Sequence, residues 1–146
     1  MKYVKSMNEL FTNYTIYPYE LILDGLRYVE YRFKTKSNIE YMVEFKYVDE
    51  KWQRNFKTIT GSYRMTGDND AYNVLATVTE ITVKFLRRKD VSFMDIEHIP
   101  AHGEPMNNKV PNKRSRVNKV FLQKWLPDDY TYRMVGSTSK IRKTDI

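Results

Sequence analysis

The densest run of charge able to recognise an anion is Lys109, Lys113, Arg114, Arg116 and Lys119, with Lys124 further on. No acidic residue interrupts positions 109–124. Cations spaced this way along a helix can track a phosphate backbone, and they can equally form a solvated face. Arg116 directly precedes Val117, where an apolar stripe begins, which puts it at the edge of a groove. A second cluster, Arg87, Arg88 and Lys89, closes an earlier helix, where cations also suit the helix dipole.

The two histidines, His98 and His102, stand near Glu104 and could supply three metal ligands. The zinc-protease pattern needs a helix and a glutamate directly after the first histidine. Pro100 and Gly103 argue against a helix, so no metal site is assigned. His98 at a strand end could act as a general base, with Glu97 beside it. Adjacent strand residues face opposite ways, so only one of the two is expected to face a given pocket. Strand tyrosines can stack on nucleic-acid bases. Here Tyr31, Tyr41 and Tyr47 share faces with Val29, Phe33, Val43 and Phe45 and read as core. Tyr28, set among charges, is the exception.

The elements that must position these groups fit one domain. The chain has 146 residues, with 41% hydrophobic and 14% aromatic, enough to bury one core and too aromatic for a disordered chain. It has no cysteine, which excludes disulfides, thiolate metal sites and cysteine nucleophiles. No apolar run reaches the roughly 20 residues that span a bilayer. The first residues lack the apolar stretch of a secretory signal, so a cytoplasmic protein with no membrane partner is expected. The net charge of +7 is one-sided. Residues 1–83 hold 11 basic and 11 acidic side chains, whereas residues 84–146 hold 14 and 7.

Along the chain, Ser6 and Glu9 form a capping box for a short first helix. Residues 16–23 read as an extended edge or bulged segment because of Pro18. Residues 27–34, 39–48 and 52–59 alternate as strands of a meander, with turns at Asp24-Gly25, Lys36-Ser37-Asn38 and Asp49-Glu50-Lys51. Residues 60–69 form a loop. Asp70 caps a helix whose apolar stripe is Ala71, Val74, Leu75, Val78, Ile81 and Phe85. Residues 91–99 are a strand. A second helix starts at Pro111 or Asn112, places Val117, Val120, Phe121 and Trp125 on one face, and stops at Pro127. Residues 130–135 are a last strand, and 136–146 a basic polar tail beyond a domain spanning 1–135. The fold class is α+β, a mixed and mainly antiparallel sheet with a meander followed by α-β-α-β.

This order resembles the GNAT acyltransferase superfamily. There, backbone N–H groups of an Arg/Gln-x-x-Gly-x-Gly/Ala loop, at the start of the central helix, hold the pyrophosphate of acetyl-CoA. Arg64 and Gly67 occupy the first two motif positions, and Asn69 stands where the second glycine would be. The resemblance therefore implies acetyl-CoA contacts at Arg64, Gly67 and Asn69. Asp68 and Asp70 add negative charge beside them. Asn112 matches an asparagine often found near the start of the family's second helix. Phe121 replaces its useful tyrosine and cannot donate a proton. The chain is also similar in general character to small accessory proteins of tailed bacteriophages, being compact, basic and rich in Tyr, Lys and Asn.

The leading expectation is a viral-type interaction protein, cofactor-free and non-catalytic. It would engage an acidic macromolecule, nucleic acid or a host or phage protein, through Lys113, Arg114, Arg116 and Lys119, with Arg87, Arg88 and Lys89. The alternatives are an acetyl-CoA-dependent N-acyltransferase and a self-associating virion component.

Overall fold

The computed structural model describes residues 14–60, 70–98, 109 and 112–144. The first helix expected around Ser6 and Glu9, the loop carrying Arg64, Gly67 and Asn69, and His102 with Glu104 lie outside the described residues.

The meander forms as its alternation requires. Its strands are β1 (Tyr19–Asp24), β2 (Tyr28–Lys34), β3 (Glu40–Val48) and β4 (Lys51–Thr58), each antiparallel to the next. β1 lies at the sheet edge with an irregularity between Leu21 and Leu23, consistent with the edge or bulge that Pro18 implied. Asp49 and Glu50 both take positive φ, 54° and 65°, which gives the two-residue β3–β4 hairpin its twist.

Helix α1 (Ala71–Arg88) crosses to β5 (Phe93–Glu97), which lies parallel to β4. Helix α2 (Lys113–Trp125) follows, then β6 (Tyr130–Val135) and β7 (Thr138–Lys143). The strand order is β1-β2-β3-β4-β5-β7-β6. This is the expected α+β class with a mixed, mostly antiparallel sheet.

The polar tail expected at 136–146 is a correction. Gly136, with φ 60°, and Ser137 turn the chain back, and β7 inserts between β5 and β6. Its alternation is visible once paired: Ser139 and Ile141 are buried, while Lys140 and Arg142 face the other way. Two serines among basic residues hid one apolar anchor, Ile141, from a reading by hydrophobicity.

Both helices cover one face of the sheet, since the Arg54 side chain of β4 bonds to Thr82 of α1 and Asn118 of α2. Beneath α1 the core is aromatic. Phe45 stacks on Phe85 with centroids 3.8 Å apart, and Trp52 meets the same ring edge-on at 4.9 Å. Tyr31, Tyr41, Val43 and Val29 complete this layer, as their shared face implied. Asp70 does begin α1, but its carboxylate makes no capping bond. It instead accepts from the Tyr17 hydroxyl and from Asn73 Nδ2. Val120, placed by periodicity on the buried face of α2, is 63% exposed, and Asn118 and Leu122 take the interior instead.

Candidate functional site

β4 and β5 are held together by two residue pairs alone, Trp52 with Met94 and Gln53 with Asp95. β4 then runs on to Thr58, whereas Ile96 and Glu97 of β5 pair with β7 alone, on the other edge of β5. The strands part, and a gap opens through the sheet at their carboxyl ends. A cleft of about 200 Å³ occupies one side, lined by Gln53, Arg54, Asn55, Asp95, Glu97 and Thr138. A deeper slot of about 10 Å³ adjoins it, among Arg54, Asn55, Phe56, Ile96, Glu97, His98 and Arg114. In open α/β sheets, ligands bind in such a crevice outside the carboxyl ends of parallel strands.

The depth of the slot is cationic. Arg54 is 2% exposed. Its Nη1 donates to Thr82 Oγ1 and its Nη2 to Asn118 Oδ1, both at 3.2 Å, while Nε has no acceptor. Burial first, then the neighbouring charge of Arg114, pushes the guanidinium down to about 9, so it stays charged at neutral pH. Arg114 lies with Arg54 against the same ring, that of Phe56. The two guanidinium carbons lie 5.8 and 5.6 Å from the Phe56 ring centroid. Thr82 and Asn118 hold their places through their own helices, Thr82 donating to Val78 O and Asn118 Nδ2 to Arg114 O.

A chain of neutral polar groups runs beside the arginines. Buried His98 shares a hydrogen bond of 2.8 Å with Ser139 Oγ, and Ser139 shares another of 2.8 Å with the Tyr132 hydroxyl. Burial, then Arg54 and Arg114, holds His98 down to about 3, so the ring is neutral. Burial raises the pKa of the Tyr132 hydroxyl. Asn112 fixes the helix to this strand. It caps α2 by accepting from Ser115 N, in a box with the Ser115 hydroxyl, and donates Nδ2 to His98 O at 2.8 Å. The positive end of α2 therefore lies at the slot.

The structure scatters the expected basic surface. Arg114, expected at a macromolecular interface, is instead buried in the slot, because the helix turns that position toward Phe56. Arg88 and Lys89 both pair with Asp24 of β1, at 2.9 and 3.0 Å, and tie the end of α1 to the sheet edge. These bonds hold Asp24 down to about 2. Arg87, Arg116 and Lys119 are exposed. Lys113 opens α2, and its side chain lies outside the described residues. Tyr28, the candidate stacking residue, donates its hydroxyl to the carboxylates of Glu30 and Glu44.

Sequence reasoning named His98 and Glu97 but expected only one to face a pocket. Both line the slot. Arg54, Ser139 and Tyr132 were missed. Arg54 did leave a signal, since strand alternation places it between Trp52 and Phe56 on a face that is otherwise apolar. Among the described residues, no three His, Asp or Glu side chains gather as a metal site. No described helix is long and apolar enough to cross a membrane. No family model, curated protein or solved structure matches the chain.

Proposed function

We propose that the chain is an acyl-CoA-binding protein of the GNAT type that transfers an acyl group to an amine. The observation that carries this reading is the parting of β4 from β5 after two residue pairs, directly before β4 passes through 59–70 into α1. That is the place where the resembled family holds its cofactor, and it is where this chain has its cleft. Arg64, Gly67 and Asn69 belong to the connecting segment and would take the pyrophosphate at the start of α1. In the transfer, the amine nitrogen attacks the thioester carbonyl, the C–S bond breaks, and one proton passes from nitrogen to the leaving thiolate. Phe121 has no ionisable group and carries no proton for this step; it is buried, edge-on to Tyr14 and stacked with Trp125.

Calorimetric titration with acetyl-CoA tests the reading. Micromolar binding that Gly67→Glu abolishes is expected, and no binding by the unaltered chain overturns it.

The second reading is an accessory protein that grips an acidic macromolecule. Its support is the exposure of Arg87, Arg116 and Lys119. Arg114 is buried, and Arg88 and Lys89 pair with Asp24. This second reading predicts binding to single- or double-stranded nucleic acid that weakens steeply with salt. Binding indifferent to salt excludes that form of it.

A further inference from the structure

A guanidinium withdrawn from water with no acid beside it costs stability, and a ligand that brings the missing charge offsets that cost. Arg54 forms no ion pair among the described residues. Its two bonded nitrogens face neutral oxygens, its Nε donor has no partner among the described residues, and the charge of another arginine, Arg114, acts on it. The deep slot has room for about one water-sized group, and it opens on the 200 Å³ cleft that Arg54 also lines. An anionic oxygen entering the slot from the cleft would lie against the Arg54 side chain, whose Nε donor has no acceptor among the described residues.

The rim has the opposite sign. Glu97 is exposed and lines both spaces. Asp95 stands beside it, its charge engaged by Lys51 at 2.7 Å and Lys140 at 3.2 Å. A phosphate dianion aimed at the arginines would pass these carboxylates. A zwitterion would satisfy both ends.

We propose that the gap between β4 and β5 binds a small amino acid, its carboxylate on Arg54 and Arg114 and its ammonium toward Glu97. This site goes beyond the acyl-CoA reading, because its ligand binds whether or not a cofactor does. If both hold, the amino acid is the acyl acceptor.

The test follows the Arg54 Nε–Hε resonance, assigned by its loss in Arg54→Met, in ¹H–¹⁵N spectra of the full chain. The common amino acids are titrated singly. Any that binds is compared with its decarboxylated amine and its deaminated acid. At least one amino acid should shift the resonance. Its amine should not, and its acid should bind about tenfold more weakly or worse, the size of one lost charged contact. Glu97→Gln, an exposed change that leaves the fold intact, should weaken the amino acid about tenfold and leave the deaminated acid unaffected. The proposal is overturned if no amino acid moves the resonance, or if the amine binds as tightly as its parent. Acetyl-CoA binding without amino acid binding removes this site and leaves the acyl-CoA reading standing. The converse leaves the site and removes that reading.

Discussion

Two regions of the same sheet face are buried equally and built from opposite materials. Under α1, the face of β2 to β4 presents Val29, Tyr31, Phe45 and Trp52 to Phe85 and Ile81. Two residues further along β4, the face presents Arg54, which shares the slot with Arg114 and His98. Burial in the first region removes apolar surface from water and stabilises the fold at about 25 cal/mol per Å². Burial in the second removes charge and hydrogen-bonding groups from water, which opposes folding. A sheet face therefore carries a stabilising half and a costly half, and the costly half is where β4 and β5 separate. Local conflict of this kind marks functional ground more often than structural ground.

The contrast can be broken by one pair of substitutions. Phe45→Ala removes a fully buried ring stacked at 3.8 Å on Phe85 and should cost about 3–5 kcal/mol in urea unfolding. Arg54→Met fills similar length without the charge. It leaves Asn118 Oδ1 and Thr82 Oγ1 without the arginine donor, which offsets the gain, so the net change should stay within about 1 kcal/mol. If Arg54→Met destabilises as much as Phe45→Ala, the arginine is a structural keystone and the contrast fails.

Acid should strike the polar half first. His98 sits near 3 in the fold against an ordinary 6.5. Between those values the unfolded chain holds the extra proton, so stability rises with pH across the window and falls on acidification. Lowering the pH from 6.5 to about 5 should cost about 2 kcal/mol through this residue. His98→Gln should flatten that slope in urea midpoints measured across pH. An unchanged slope would mean the ring is already free to charge. The cap that joins α2 to this strand comes next. Asn112→Ala loses the bond from Ser115 N and the bond to His98 O, and should cost about 1–2 kcal/mol by the same measurement. A change near zero would uncouple the helix end from the slot.

The two regions were unequally legible in the sequence, and for a physical reason. The meander is written in period-two alternation, because each strand meets water on one face and the core on the other. Residues 39–48 therefore gave β3 nearly to the residue. The slot and the polar chain beside it draw on β4, β5, α2, β6 and β7, which meet only in three dimensions. No spacing along the chain links Arg54 to Arg114, or His98 to Ser139. Charge counting made the same omission in reverse. Lys109 to Lys124 looked uniform in sequence, but a helix rotates each residue by about 100°, and that rotation turned Arg114 inward and left Arg116 out. Strand β7 was hidden because it buries a serine, Ser139, against His98 and Tyr132, where an apolar residue would have announced it.

Even the stabilising half carries one small strain, and relieving it sharpens the comparison. Glu50 adopts φ 65° in the β3–β4 hairpin, a left-handed backbone that costs a residue with a Cβ and does not cost glycine. The turn needs positive φ at both central positions, and Asp-Gly is among the pairs that supply it most easily. Glu50 is exposed and makes none of the described ion pairs. Glu50→Gly should therefore stabilise the chain by about 0.5–1 kcal/mol in urea unfolding, the gain in turn geometry exceeding the added entropy of the unfolded state. It should do so without altering the pH slope assigned to His98, since the hairpin and the slot share no side chain. A loss of stability would show that the hairpin depends on the glutamate side chain. A changed slope would show that the two halves of the sheet are coupled through β4, the strand they share.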